Sequence, residues 1–215
     1  LSSQGIIPSN RAAIVLPNGP EMATTFLSIS SYMSAAPLNP SYKLKEYEFY
    51  LQDLMPKIVI VEKDSQNPVV EAAKNLGIEI CEIKKIDNAP AGIFNLYNKT
   101  KNFELTTENN EALVLHTSGT TSRPKVVPLT NKNIFSSATN IANSLQLSSQ
   151  DHCYNIMPLF HIHGLIAVLS SSINAGASVY ASSGFNALKF LETADKESIT
   201  WYSGVPTMHQ AILMR

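Results

Sequence analysis

Short apolar runs and helical spacings alternate along the chain. Ala12-Ala13-Ile14-Val15-Leu16 is a continuous apolar run closed by Pro17-Asn18-Gly19-Pro20, the pattern of a buried strand leaving into a turn. From Glu21 the apolar positions Met22, Phe26, Ile29 and Met33 recur three or four apart, which predicts a helix stopped by Pro37 and Pro40. A second amphipathic segment covers Lys43 to Leu54. Lys57 to Val61 is a β-branched strand, Val69 to Leu76 a helix ending at Gly77, and Ile78 to Ile83 another strand. Residues 84 to 110 are richer in Asn, Lys and Thr and read as a surface excursion with one short strand near Ile93 to Tyr97.

Glu111 to Leu115 restarts the core as a strand, a polar loop runs from Thr117 to Lys125, and Val126 to Leu129 forms the next strand. Thr130 is placed to cap a helix reaching about Leu145. Tyr154 to Met157 then reads as a strand before Pro158, His161 to Ile173 as a helix, and Ala177 to Ala181 as a strand. A helix near Ala187 to Thr193 and a strand at Ile199 to Ser203 continue the alternation. The fold class this predicts is α/β: parallel sheets flanked by helices, with ligands beyond the carboxyl ends of the strands.

Charge and cysteine content narrow the function classes. Sixteen Lys and Arg against seventeen Asp and Glu leave a net charge of −1 over 215 residues, no surplus for gripping a nucleic acid backbone or an anionic membrane. Cys81 and Cys153 are too few for a disulfide scaffold and too far apart for paired metal ligands. Neither a membrane span nor a secretion signal is visible. The chain opens at Leu1 and closes inside the apolar periodic run Val205, Met208, Ile212 and Leu213. The expectation is therefore a fragment.

The most informative stretch is Thr117-Ser118-Gly119-Thr120-Thr121-Ser122-Arg123-Pro124-Lys125. Five hydroxyl side chains, one glycine and two cations between two strands are suitable chemistry for wrapping a polyphosphate. A solvated Ser/Thr-rich turn would have the same composition. A Walker A loop fails at two positions: Pro124 stands where its second glycine belongs, and Val126 where its Mg²⁺-binding hydroxyl belongs. A serine hydrolase finds no G-x-S-x-G elbow in the chain.

This run resembles the phosphate loop of the adenylate-forming superfamily of acyl-CoA synthetases, luciferases and peptide-synthetase adenylation domains, written T-S-G-S/T-T-G-x-P-K-G. Ser122 replaces the usual second glycine and Val126 the last. The spelling His116 to Lys125 is similar to that of the oxalate–CoA ligase branch of plants and fungi. So are Ala36-Pro37-Leu38-Asn39-Pro40, Met157-Pro158-Leu159-Phe160-His161-Ile162-His163-Gly164 and Trp201-Tyr202-Ser203-Gly204-Val205-Pro206-Thr207. The resemblance implies that residues 1–215 are the N-terminal part of the large AMP-binding domain. It implies ATP, Mg²⁺ and CoA as cofactor and cosubstrates, a small carboxylic acid, oxalate above others, as substrate, and a cytoplasmic or peroxisomal location. It also implies that the adenine-binding segment, the Mg²⁺-positioning acids and a C-terminal domain lie beyond Arg215, so that the chain alone is marginally folded and does not catalyse.

The same resemblance assigns Thr117, Ser118, Gly119, Thr120, Thr121, Ser122 and Lys125 to ATP, and no residue to a metal. It places His161 beside the activated carboxylate, the catalytic candidate, and His163 on the wall of the acyl pocket. Read from the residues alone, the two histidines are open to two other accounts: helix-start structural residues, or a metal pair with His152 or Cys153 that lacks further ligands and a second shell. Val205 and Pro206 match the family turn beside the acyl and adenylate pocket; on geometry alone they are a strand-to-helix turn with proline near N1. His209 and Trp201 read as structural. Two rivals remain: a CoA ligase for another short or aromatic acid, and a degenerate nucleotide- or partner-binding module.

Overall fold

The computed structural model describes residues 6–96, 106–117 and 124–215. They fall into two compact units, one of Leu1–Pro17 and Thr24–Lys132, the other of Asn18–Ala23 and Asn133–Arg215.

In the first unit, strands β1 (Arg11–Ile14), β2 (Ser34–Pro37), β3 (Ile58–Glu62), β4 (Glu79–Lys85), β5 (Phe94–Leu96), β6 (Glu111–Thr117) and β7 (Lys125–Thr130) form one sheet. Their order is β5-β4-β3-β1-β2-β6-β7. The five inner strands are parallel, while β5 and β7 run antiparallel at the two edges. Pro128, opposite Val114 in β7, withholds an N–H from a ladder that needs none beyond it, because β7 is an edge strand.

Helix α1 (Pro20–Ser30) ends earlier than the apolar spacing suggests, because Ser34-Ala35-Ala36-Pro37 is not a helix tail but the fully buried strand β2, between β1 and β6. Alanine has little β preference and proline ends helices. The small side chains nevertheless suit a strand covered on both faces.

Helices α2 (Leu44–Leu54) and α3 (Val69–Asn75) cover one face of the sheet. Tyr47, Leu51 and Leu54 recur at helical spacing and pack with Val59, Val61, Val69, Ala72 and Ala73 against Ala13, Val15 and Ala36. Each buried leucine contributes about 1.5–3 kcal/mol relative to an exposed one. Lys43 N–H donates to the Glu46 carboxylate at 2.9 Å and so starts α2. Gly77, at φ +67°, turns the chain from α3 into β4.

The second unit holds a parallel sheet of β8 (His152–Asn155), β9 (Ser178–Ala181) and β10 (Trp201–Tyr202), in the order β10-β8-β9. Helices α4 (Asn131–Ser144), α5 (Ser171–Asn174), α6 (Phe190–Lys196) and α7 (Pro206–Leu213) accompany it. Tyr154, stacked on Phe190 at 5.2 Å, and Tyr202, edge-on to Phe190 at 4.6 Å, centre the core between β8, β10, α6 and α7.

The helix predicted from His161 begins instead as a π-helix, His163–Ser170, and only then continues as α5. Apolar spacing does not register this difference. The buried hydroxyl of Ser170 donates to the Leu165 carbonyl five residues earlier, and those of Ser171 and Ser172 donate to Ala167 and Val168, so the serines satisfy carbonyls of a widened turn. Among the described residues, no helix is long and apolar enough to cross a membrane.

Candidate functional site

In the first unit, β6 and β7 form an antiparallel pair whose Thr117–Lys125 end lies at the carboxyl end of the parallel strands. Thr117 and Lys125 are cross-strand partners there, both exposed. A hydroxyl and an ammonium thus flank the polar loop. Ser118, Gly119, Thr120, Thr121 and Ser122 lie outside the described residues.

One residue before Thr117, His116 faces α2. Its Nε2 bonds the Asp53 carboxylate at 2.9 Å, with both side chains largely buried, and Tyr50 packs edge-on to its ring at 4.6 Å. Asp53 and Tyr50 both belong to α2, so the last turns of that helix brace the strand from which the loop departs.

In the second unit, residues 156–162 carry the chain from β8 to the π-helix and are held by two asparagines. Asn155 donates to the Gly164 carbonyl at 3.1 Å and accepts from Met157 N–H at 3.2 Å. Asn18 donates to the Ser182 carbonyl at 2.7 Å and accepts from Leu159 N–H at 2.7 Å. Gly164 sits so close to Pro158 that a Cβ would lie 2.4 Å from its carbonyl oxygen. These contacts fix the backbone on both sides of His161 and His163.

His161 is exposed, its ring tilted on Phe160 at 4.4 Å. Desolvation lowers its imidazole below the ordinary value, which favours the neutral ring. His163 is half-buried and lines an open depression of about 310 Å³ together with Ser137, Ile141, Ile162, Ile166 and Ala167. Its Nε2 lies 2.8 Å from the Ser203 hydroxyl. The two candidate histidines therefore meet different surroundings.

Val205 and Pro206 are exposed at the start of α7, Val205 as its extended N-cap and Pro206 at its first turn. The turn before them is tied down by His209, whose Nε2 bonds the Gly204 carbonyl at 3.0 Å and whose Nδ1 lies 3.0 Å from the Tyr202 hydroxyl. His152 bonds the Glu197 carbonyl, and Cys153 is fully buried, its thiol pushed up to about 12 by burial. Among the described residues, no group of three or more His, Cys, Asp or Glu is gathered that could hold a metal.

The sequence marks the turn Ser203 to Thr207 but not Ser203 as a site residue, reads His209 as structural, which its bonds to Tyr202 and Gly204 bear out, and gives no role to Asp53 or to the Asn18 side chain. A polar residue next to a motif position was the one available signal.

The AMP-binding enzyme family matches residues 1–215. The chain belongs to that family. Its similarity to other AMP-binding enzymes runs along its whole length: it is 40% identical to the oxalate–CoA ligase of Arabidopsis thaliana over 223 residues, covering 100% of this chain and 43% of that protein. It is 35% identical to the oxalate–CoA ligase of Saccharomyces cerevisiae, covering 97% of this chain and 43% of the relative. In fold it is similar to MatB from Rhodopseudomonas palustris, with a TM-score of 0.84 at 22% identity over 100% of this chain and 42% of that one. The chain thus spans about 43% of the length of the curated relatives it matches.

Proposed function

We propose that the chain serves the ATP-dependent activation of a small carboxylic acid, oxalate, to an acyl-adenylate, with transfer of the acyl group to CoA. The observation that carries the acid assignment is His163. Among the described residues, it is the one titratable group lining a depression otherwise built from Ser137, Ile141, Ile162, Ile166 and Ala167. Similarity to oxalate–CoA ligases supports the same acid.

The chemistry is leaving-group activation. A carboxylate oxygen attacks the α-phosphorus, a C–O–P linkage forms, and the bond to the β-phosphate breaks with its electron pair leaving on pyrophosphate. The CoA sulfur, as thiolate, then attacks the acyl carbon and AMP departs. Thr117 and Lys125, a hydroxyl and a cation facing each other across the antiparallel pair, suit phosphate oxygens, and the polar loop between them supplies further donors. Mg²⁺, when bound with ATP, offsets charge on the departing pyrophosphate. His161, whose imidazole is shifted toward its neutral form by desolvation, borders the reacting carboxylate. His163 meets the second carboxylate, whose burial without a donor or cation would cost several kcal/mol.

A second reading, a ligase for another short or aromatic acid, is favoured by the apolar remainder of the depression and by the match to ligases of other acids. Acid-dependent pyrophosphate exchange separates the two. A chain extended over the full length of its relatives should exchange with oxalate in preference to acetate or a medium-chain acid, and the 215-residue chain should not exchange. Preference for the medium-chain acid would defeat the oxalate assignment.

A further inference from the structure

We propose that Ser203 is a positioning residue for His163: its hydroxyl donates to Nε2 and so selects the tautomer that carries its proton on Nδ1, the donor for the second carboxylate of the acid. This rests on the oxalate reading above and names how the site would recognise that acid.

The pair is assembled by topology. Strands β8 and β10 are parallel neighbours, so the segments that leave their carboxyl ends emerge side by side, one leading to His163 and the other being Ser203. Each partner stands on a fixed backbone. On the histidine side, Gly164 has no room for a Cβ against the Pro158 carbonyl and its own carbonyl is held by Asn155. On the serine side, His209 clamps the next residue through the Gly204 carbonyl.

The protons in that clamp follow from chemistry. A carbonyl only accepts, so His209 Nε2 carries the hydrogen. Its Nδ1, in the neutral ring, then accepts from Tyr202. Between these two anchors the Ser203 oxygen and His163 Nε2 are 2.8 Å apart, a distance at which one must donate. Among the described residues, His163 Nδ1 has no hydrogen-bond partner. If Nε2 accepts from the serine, the neutral ring places its single proton on that unpartnered nitrogen. A carboxylate only accepts, so a neutral imidazole is useful to it only through an N–H. Without the hydroxyl, nothing in the turn chooses between the tautomers. Among the described residues, the depression supplies no competing charge, since its other lining residues are Ser137 and four aliphatic side chains.

The first test reads the ring itself. Imidazole ¹⁵N shifts of His163 in the extended chain, above the titration range of histidine, should report a predominantly Nδ1–H tautomer that becomes mixed in Ser203→Ala and is restored in Ser203→Thr. An Nε2–H ring in the parent would overturn the proposal.

The second test reads selection between acids in the extended chain. Ser203→Ala should lower the oxalate-to-acetate ratio of kcat/KM by about 10-fold, Ser203→Thr should hold it within about 3-fold, and Ser203→Ala placed on His163→Phe should change it no further. A parent that prefers oxalate but keeps its preference in Ser203→Ala would overturn this inference alone. A parent with no preference for oxalate would overturn the oxalate reading and this inference with it. A ratio lowered equally by Ser203→Ala in the His163→Phe background would show that the serine acts without the histidine.

Discussion

The imidazole of His116 and the carboxylate of Asp53 meet at 2.9 Å where α2 abuts β6, with 7% and 16% of their side chains exposed. A largely buried pair of this kind is costly to break from one side, because the partner left behind keeps its desolvation without its bond. Asp53→Asn and His116→Phe should each destabilise the chain by about 1–3 kcal/mol, and the double variant by clearly less than their sum. Urea unfolding of the four proteins gives the coupling. Strict additivity would show that the two side chains act independently.

Arg11 grips Glu111 with two hydrogen bonds, at 2.7 and 2.9 Å. Burial works to raise the Glu111 carboxyl, but the Arg11 hydrogen bond, the Ser34 hydroxyl and the Arg11 charge together outweigh it and hold it below its ordinary 4.5. A carboxyl depressed in the folded state contributes stability that is fully present above its unfolded value and lost as pH falls through its folded one. Below about pH 4.5 the chain should therefore lose stability more steeply than Glu111→Gln. Melting curves from pH 3 to 7 check this, and parallel acid limbs would refute it.

The strands of the first sheet divide by how legible they were. β1 and β3 are legible as runs of aliphatic residues, and β6 and β7 as two such runs around a polar loop, although their antiparallel pairing departs from the all-parallel sheet expected. β2 did not, since Ser-Ala-Ala-Pro carries no β-branched residue, and its burial on both faces comes from neighbours distant in sequence. The same distance hid the contacts of the site. His161 and His163 could be picked out as types in a motif, but that Asn18 would hold the backbone before one and Ser203 the ring of the other is decided by chain segments that meet only after folding.

Replacing Gly164 by Ala should destabilise the chain by at least about 1–3 kcal/mol, because the new methyl would meet the Pro158 carbonyl oxygen at 2.4 Å and the Met157 carbonyl oxygen at 3.1 Å. Neither neighbour is a flexible side-chain tip. An unchanged urea midpoint would mean that the π-helix shifts freely at its start.

Thr120→Ala or Lys125→Ala in the extended chain should slow adenylation about 10- to 1000-fold, as lost donors to a developing charge do. Thioester formation from supplied acyl-adenylate should change far less, and Ser122→Gly should be tolerated. Pyrophosphate exchange and thioester formation measured separately give the comparison. Equal loss in both steps would point to unfolding instead.

His163→Phe should depress turnover of oxalate by more than that of acetate, whereas His161→Ala should depress both. Steady-state competition among oxalate, acetate and a medium-chain acid reads the difference. Proportional loss of all three acids in the Phe variant would remove His163 from acid selection.

The pinning of the main chain at Gly164 and Gly204 bears on how the acid selectivity proposed above could diversify. With Pro158 and Asn155 fixing one path and His209 the other, exchanges at Ile162, His163, Ile166, Ala167 and Ser203 alter what lies on the paths without redrawing them. A lineage, or an engineer, could move between acids by single replacements on a constant scaffold, each intermediate still folded and open to selection.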